Sequence, residues 1–212
     1  MIRMSTESTE VAIALLSNKE IDRAAALMAS AFANDPLVNY LLPKAQNRLD
    51  VIRWFWQEAL QRNHQYGHSY TTAPGFWGVA SWLPPGVPRE TIWTLWPLVL
   101  QGWLQTGWQS SYRLLSLLEC AEKLRDRYCS KPHWCLDGLA VAPESQGKGI
   151  GGLLLQPALA LADQEGKACC LYTSTEGAVR FYQRLGFVVC EEIRLQREAP
   201  PLWLMVRSPK VS

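Results

Sequence analysis

Apolar residues recur along the chain with two periods, which indicate alternating strands and helices. Short apolar runs predict strands, and apolar positions three or four residues apart predict amphipathic helices. The step Asn34-Asp35-Pro36 is expected to stop the first helix, and Pro157 to kink or unwind a later one. In chain order, the predicted elements are a strand at 11–16, a helix capped by Ser17 or Asn18, a helix at 44–65, hairpin strands at 69–73 and 76–83, helices at 89–105 and 108–128, a strand at 133–141, a helix at 150–165, a strand at 168–173, a helix at 175–185, and strands at 187–195 and 202–207.

Residues 88–130 differ from the rest of this pattern. They hold four of the ten tryptophans, at 93, 96, 103 and 108, and carry leucines at helical spacing without any strand pattern. We interpret them as a helical insert within a single domain that spans 1–212. The tryptophans are expected to bury one another, and a pocket wall, a lid or the face of a homodimer are the alternatives.

Composition and charge exclude several classes of function. Apolar residues make up 48% of the chain and the net charge is +2, so the chain is expected to fold and has no basic arm for nucleic acid or an anionic membrane. Residues 1–10 are polar, and no run is long and apolar enough to span a bilayer. The sequence therefore predicts a cytoplasmic protein.

The six cysteines show no metal-binding spacing. None of them forms a CxxC pair, so a zinc ribbon is not predicted and no metal is expected. Free thiols in a reducing compartment are the expectation for a chain of this length. Cys169 and Cys170 lie in a predicted strand without a neighbouring base, and are interpreted as apolar filler rather than as nucleophiles.

A glycine-rich turn links the strand at 133–141 to the helix at 150–165. In the segment Gln146-Gly147-Lys148-Gly149-Ile150-Gly151-Gly152, backbone amides lie open beside the positive end of a helix, which favours a phosphate. The Walker A pattern fails, because a glycine follows the lysine. The dinucleotide pattern GxGxxG fits at Gly147, Gly149 and Gly152, with Glu176 as the ribose carboxylate. A nicotinamide-dependent oxidoreductase is therefore the alternative, although residues 142–146 separate the strand from the first glycine.

Two motifs in the C-terminal half resemble one known family. The pattern Val141-x-Pro143-x-x-Gln146-x-x-Gly149-x-Gly151 resembles the acyl-CoA-binding motif of the GNAT acyltransferase superfamily. The pattern Ala178-x-x-Phe181-Tyr182-x-x-Leu185-Gly186-Phe187 is similar to its second signature. The similarity covers about 132–195, the expected CoA-binding and catalytic core. More loosely, the N-terminal half and the end of the strand at 168–173 resemble the puromycin N-acetyltransferase-like branch, on Ala31-Phe32, Asp35-Pro36, Trp82-Leu83-Pro84-Pro85-Gly86 and Thr173-Ser174.

The resemblance implies an α/β (α+β) fold and a bound acetyl-CoA cosubstrate. The fold would be a mixed, mostly antiparallel sheet of six or seven strands, splayed between strands 4 and 5 and flanked by helices. Backbone groups of strand 4 would pair with the pantetheine arm, and the glycine turn would hold the pyrophosphate. The implied cofactor-binding residues are Leu139, Ala140, Val141, Gln146, Gly147, Lys148, Gly149, Ile150, Gly151, Gly152, Thr175, Ala178 and Arg184. Thr175 stands where the superfamily usually has Asn.

The implied activity is acetyl transfer from acetyl-CoA to the amine of a small molecule, with a protein N-terminus as the alternative acceptor. Tyr182 is the leading candidate for the acid that protonates the leaving thiolate, and Asp137 for the base, with His133 as a weaker candidate. A hydrophobic or aromatic amine is the expected acceptor, and Glu191-Glu192 is one attractor for its charge. A CoA-binding regulator without catalytic activity is a second alternative.

Overall fold

The computed structural model describes residues 11–43, 47–87, 100, 103–129 and 131–210. In this part of the chain, seven strands form one sheet. The strands are β1 (Ala12–Leu15), β2 (Ser69–Ala73), β3 (Gly78–Leu83), β4 (Trp134–Val141), β5 (Cys169–Thr173), β6 (Val188–Ile193) and β7 (Leu202–Arg207). The helices are α1 (Ile21–Phe32), α2 (Pro36–Leu41), α3 (Arg48–His64), α4 (Trp108–Tyr128), α5 (Ile150–Gln164) and α6 (Glu176–Arg184).

The sheet has the order β1-β2-β3-β4-β5-β7-β6. Only the β4–β5 pair is parallel among the strand pairs of the described residues, and the others are antiparallel. The expected mixed and mostly antiparallel fold is thereby confirmed. The dinucleotide-binding alternative is wrong, because a doubly wound domain needs several neighbouring parallel strands.

Local sequence signals explain most element boundaries. Ser17 and Glu20 form a capping box before α1, in which the carboxylate of Glu20 accepts from the backbone N–H of Ser17 at 3.0 Å. Asp35 caps α2 by accepting from Leu37 N at 2.8 Å, and Pro36 occupies the first helical position. Asp35-Pro36 therefore follows the end of α1 and starts α2. The sequence predicted the end of the first helix at this step but not the start of the second.

Two further expectations differ from the structure. Pro157 lies inside α5 without interrupting it, since its missing N–H removes one bond from an otherwise continuous helix. The helix predicted at 44–65 begins at Arg48, and residues 44–46 lie outside the described residues. Of the helix predicted at 89–105, only 100 and 103–105 are described, and these are helical; Trp93 and Trp96 lie outside the described part.

Two hydrophobic clusters cover the two faces of the sheet. One joins α5 and α6 to the sheet through Leu154, Leu155, Tyr182 and Phe187. The other joins α1 and α3 to β3 and β4, with Met28 and Trp56 at its centre. Because side chains pack on both faces of β4, the position of this strand in the core is fixed by contacts on both sides.

The close contact between α3 and β4 depends on Gly138. A Cβ at this position would lie 2.5 Å from Cη2 of Trp56 and 3.2 Å from Cε of Met28. Trp56 has little room to retreat, because it is 8% exposed and stacks on Phe32 with ring centroids 5.3 Å apart.

Gly138→Ala is therefore expected to lower the free energy of unfolding by about 1–3 kcal/mol, as overpacking of a filled core does. Gly177→Ala is the matched control, since its added Cβ meets nothing within 4 Å on α6 and should raise stability by about 0.5–1 kcal/mol. Urea denaturation measures both changes. Equal stability of Gly138→Ala and the parent would contradict the proposed close packing.

Candidate active site

A gap opens between β4 and β5 in the middle of the sheet. The two strands pair only at Trp134, Cys135 and Leu136, opposite residues 169–171. From Asp137 to Val141, β4 continues along β3 but has no pairing with β5. One edge of a central strand is thus left open inside the molecule, where an extended ligand can pair with it.

A β-bulge accompanies the start of this gap. Ser81 lies opposite Gly138, but the next residue of β3, Trp82, lies opposite Leu136. Asp137 is therefore the extra residue in β4. A bulge increases the local twist and bends the strand, which directs β4 away from β5.

The ladder with β3 decides which backbone groups of β4 face the gap. The N–H of Ala142 donates to Trp77 O at 2.8 Å, so Ala142 points to β3. Because backbone groups alternate in direction along an antiparallel strand, Ala140 also points to β3, and Leu139 and Val141 point into the gap. Of the three residues expected to align a pantetheine arm, Leu139 and Val141 direct their backbone groups into the gap, where the Val141 carbonyl also accepts from Gln146 Nε2.

The glycine turn follows directly on the open strand. Gly147 and Gly149 have φ values of +75° and +80°, a region that side-chain-bearing residues rarely adopt. The first backbone bond of α5 runs from Leu153 N to Gly149 O, so the N–H groups of Ile150, Gly151 and Gly152, in the first turn, have no acceptor within the helix. Together with the helix dipole, these amides form a positive concavity at the end of the gap.

Side chains stabilise the shape of this turn. Gln146 Nε2 donates to Val141 O at 3.1 Å, and Lys148 Nζ donates to Glu144 O at 2.9 Å. Gly151 allows a close approach, since a Cβ there would lie 3.2 Å from Phe181 Cζ. The turn, β4 and α6 therefore meet at one place, and Lys148 remains exposed beside it.

Tyr182 lies on the buried face of α6. It is 8% exposed and contacts Phe181 and Phe187 edge-on, with centroids 5.0 and 5.8 Å away. Burial raises the pKa of its phenol above the usual value. The hydroxyl therefore stays protonated through the physiological range, as a proton donor must.

The other predicted residues of α6 lie at its two ends. The Thr175 side chain caps the helix and accepts from Ala178 N at 3.3 Å, so Thr performs the capping that Asn would perform. Arg184 is exposed in the last turn. Ser174, just before the cap, contacts the Asp35 carboxylate at 3.0 Å and connects this end of β5 to α2.

Asp137 is exposed and held by a polar network from α3. Asn63 Nδ2 donates to Asp137 Oδ2 at 2.7 Å and to Ser81 Oγ at 3.1 Å. Ser69 Oγ donates to the same Ser81 hydroxyl at 3.2 Å. The buried Asn63 therefore orients the carboxylate at the start of the gap, although nothing in the linear pattern singles out this residue.

A cavity of about 810 Å³ opens beside Asp137. Its walls come from α3, the end of β3, α4 and the paired segment of β4 and β5, and they include Tyr66, Leu83, Leu115, Leu118, Leu136 and Tyr172. Three acidic residues, Glu119, Glu122 and Asp137, and three basic residues, Arg62, Arg125 and Lys131, also line it. The cavity thus combines apolar walls with balanced charge.

The acidic pair and the tryptophans singled out in the sequence do not take the positions expected of them. Glu191 is 3.3 Å from Arg127, and Glu192 accepts from Trp203 Nε1 at 3.0 Å, and neither lines the cavity. Trp103 and Trp108 are 49% and 73% exposed, so these two do not bury their aromatic faces as expected.

The cysteines divide between two environments. Cys169 lies in the main core, where burial raises its pKa to about 12. Cys170 faces the other way, and hydrogen bonds with Cys129 and Cys135, together with burial, raise its pKa well above the usual value. Both are neutral thiols, which agrees with their interpretation as non-nucleophilic. The sequence does not predict that Cys170 joins Cys129 and His133, because Cys170 lies 37 residues after His133 in the chain.

A scan for known families matches part of the chain. Residues 117–189 match the acetyltransferase (GNAT) domain, a range that begins within α4 and ends in β6. An uncharacterized N-acetyltransferase of Schizosaccharomyces pombe is 26% identical over 209 aligned residues, covering 91% of this chain and 81% of that protein.

Solved structures share the fold over most of the chain. The polyamine N-acetyltransferase of Drosophila melanogaster, which forms N-acetylagmatine, has a TM-score of 0.67 at 15% identity and covers 94% of this chain and 100% of that one. Arylalkylamine N-acetyltransferase 2 of Aedes aegypti also has a TM-score of 0.67 at 15% identity, with 95% and 100% covered.

These matches confirm the expectations of a GNAT domain and of an N-acetyltransferase. The narrower resemblance to the puromycin N-acetyltransferase-like branch stays a prediction. Among the described helices, none has the length and apolar character needed to cross a bilayer.

Proposed function

We propose that this chain, which carries a GNAT acetyltransferase domain, transfers an acetyl group from acetyl-CoA directly to the amine of a small molecule. One observation supports the proposal above all. The open edge of β4 leads at one end to an amide-rich turn and at the other to the cavity beside Asp137. A thioester laid along this edge would have its nucleotide at the turn and its acyl group at the cavity.

The donor site uses backbone groups. The amides from Gly147 to Gly152 bind the pyrophosphate, because they precede the helical hydrogen bonds and share the positive end of the α5 dipole. Leu139 and Val141 present their backbone groups to the pantetheine amides in the manner of an added strand. Lys148, exposed beside the turn, adds charge near the phosphates, and Arg184, exposed in the last turn of α6, is the second cation proposed to contact the ligand.

Backbone amides also stabilise the reacting centre. The amide of Leu139 points into the gap and can donate to the oxyanion that forms when the amine attacks the thioester carbonyl. Such a donor, fixed before reaction, contributes about 3 kcal/mol to transition-state stability in well-studied acyl transfers.

Tyr182 serves as the acid for the leaving thiolate. A phenol has an ordinary pKa near 10 and a thiol near 8.5, so transfer to a free thiolate is uphill by about 2 kcal/mol. Burial raises the pKa of Tyr182 further, but the same low-polarity surroundings also destabilise an unprotonated thiolate. Proton transfer concerted with C–S cleavage is therefore favoured.

Asp137 serves as the base that receives the amine proton, directly or through water. Its hydrogen bond to Asn63 fixes one carboxylate oxygen, and the cavity borders the residue. The bulge places it where β4 leaves β5, next to the expected position of the acyl group. Asn63 acts as a positioning residue in this arrangement.

The acceptor is proposed to be a primary amine with an apolar or aromatic arm. The apolar walls suit such an arm, whereas the three basic residues offset the three acidic ones and give no net attraction to a polycation. The fold is shared by both a polyamine and an arylalkylamine N-acetyltransferase, and the cavity favours the second type of acceptor.

An amine panel tests the reaction and the acceptor class together. With acetyl-CoA, a phenylethylamine-type acceptor should release free CoA thiol with a kcat/KM at least about 10-fold above that of spermidine, which corresponds to about 1.4 kcal/mol. A spectrophotometric thiol assay measures both rates. Binding of CoA without thiol release from any amine would instead identify a CoA-binding regulator.

Gly149→Ala should weaken CoA binding by about 10-fold or more. An alanine at φ +80° is strained by roughly 1–2 kcal/mol, and relaxation of that strain would turn the amides away from the phosphates. Isothermal calorimetry with CoA measures the change. Gly166→Ala is the matched control, with φ +63°, open space around it and a position at the far end of α5. Equal affinity of the two variants would refute the assignment of the turn.

A pH–rate profile should distinguish the role of Tyr182 from that of Asp137, because the two variants are expected to change different parts of it. Tyr182→Phe should lower kcat by about 10²–10⁴ with little change in the KM for acetyl-CoA, because it removes only the proton donor. Asp137→Asn should abolish the acidic limb of kcat/KM for the amine. Since burial raises the pKa of Tyr182, its deprotonation should not produce a basic limb below pH of about 10.

Two variants act as controls for this profile. Tyr70→Phe removes another buried phenol, on β2, and Glu122→Gln removes a different carboxylate from the same cavity. Both should retain the parent kcat and its acidic limb. Unchanged kcat in Tyr182→Phe, or an unshifted acidic limb in Asp137→Asn, removes that residue from the mechanism.

A further inference from the structure

Three thiols and one imidazole converge where α4 ends against the sheet. Cys129 directly follows α4, and His133 directly precedes β4. Cys135 and Cys170 lie opposite each other in the parallel register of β4 and β5. Cys129, His133 and Cys135 lie within seven residues of one another, and the fold brings Cys170 to them from a distant part of the chain.

The ligand atoms are spaced as a small cation requires. Cys129 Sγ, a ring nitrogen of His133 and Cys170 Sγ all lie within 4.8 Å of one another. Cys135 is outside this group of three, but it lies opposite Cys170 in the strand register, which places a third sulfur beside the group. In a tetrahedral zinc–thiolate site, bonds of about 2.3 Å place the sulfur atoms roughly 3.8 Å apart. Small side-chain movements therefore suffice to surround one ion.

His133 is oriented as a metal ligand would be. Its Nδ1 lies 2.9 Å from Lys131 O, and a carbonyl oxygen can only accept a hydrogen bond. This contact places the proton on Nδ1 and leaves the Nε2 lone pair free to coordinate. Metal-binding histidines are typically held by such a bond from the other ring nitrogen.

The surrounding charge also suits a metal–thiolate centre. A divalent zinc ion with three thiolates and a neutral imidazole carries a net charge of −1. Arg125, whose charge interacts with Cys135 and Cys170, would neutralise it. Its buried Nε has no hydrogen-bond acceptor among the described residues, and a thiolate in this cluster would provide one.

We propose that Cys129, His133, Cys135 and Cys170 bind one thiophilic divalent cation of the zinc type. Binding displaces the three thiol protons to solvent, and the ion forms three metal–sulfur bonds and one metal–nitrogen bond. Since all four positions are filled by the protein, the site is structural. It connects the end of α4 to β4 and β5, and so fixes one wall of the acceptor cavity. Cys129, His133 and Cys135 line that cavity, through which the ion enters.

Metal analysis of the full chain, purified under reducing conditions, tests this site. The expected result is about one zinc ion per chain by elemental mass spectrometry. After removal of the metal, titration with Co²⁺ alone should produce a thiolate-to-cobalt charge-transfer band that saturates at one equivalent. Zn²⁺ added afterwards should abolish the band, and the thermal midpoint should rise with Zn²⁺.

Variants identify the ligands. His133→Ala and Cys170→Ser should each weaken Zn²⁺ binding by more than about 100-fold, beyond the loss caused by removing a residue that only orients a ligand. Cys120→Ser is the control, because Cys120 lies on α4 outside the four-residue set and should keep full affinity. If Cys170→Ser does not fold, the affinity of His133→Ala tests the site instead. This variant is expected to fold, because the half-buried His133 lies outside the helices and strands.

Three results would overturn the proposal. The first is a metal-free chain that gives no charge-transfer band with Co²⁺. The second is Zn²⁺ affinity that does not change in His133→Ala. The third is a Cys129–Cys170 or Cys135–Cys170 disulfide that forms on mild oxidation and is not prevented by prior addition of Zn²⁺.

Discussion

The separation of β4 from β5 after Leu136 is the constraint on which the rest of this structure depends. Three paired residues hold the two strands together, and a single extra residue, Asp137, ends the pairing. The bulge exists because α3 and β3 hold β4 on the other side. Trp56 packs directly on Gly138, and Asn63 bonds the bulged residue itself. A free strand edge is costly in a protein core unless a ligand can use it, and here it leads to an amide-rich turn.

The two sides of the gap between β4 and β5 differ in their chemical groups. On the α5 and α6 side, backbone amides, helix ends and Tyr182 form a surface suited to a phosphorylated thioester. On the α3 and α4 side, apolar walls and balanced charges form a cavity suited to an amine. The two sides of the gap meet at Asp137 and Leu139, which are two residues apart in β4. In the proposed mechanism, both reactants approach this short segment from opposite directions, and the acetyl group passes directly from one to the other.

The helix α4 has a structural role that its sequence alone does not reveal. It forms one wall of the cavity beside Asp137, and the Tyr172 hydroxyl on β5 donates to the carbonyl of Ala121 in this helix. Arg113 lies over the ring of Tyr40 at 4.2 Å and joins α4 to α2. The thiol and imidazole cluster lies at the end of α4 nearest the sheet. The helix is thus attached to the domain by several specific polar contacts rather than by a large apolar face, since Ser110 and Leu124 are its only residues described as buried.

The sequence by itself determined the elements whose signals are local. The glycine turn, the strand before it, the capped helix α6 and the hairpin β2–β3 were all predictable, because periodicity, caps and turn residues act within a few positions. The two motifs around Gly149 and Tyr182 were readable for the same reason. Tertiary structure alone decided the bulge at Asp137, the support from Asn63 and the convergence of Cys129, His133 and Cys170. These features require residues far apart in the chain to meet, and no local pattern records which distant side chain will occupy the neighbouring space.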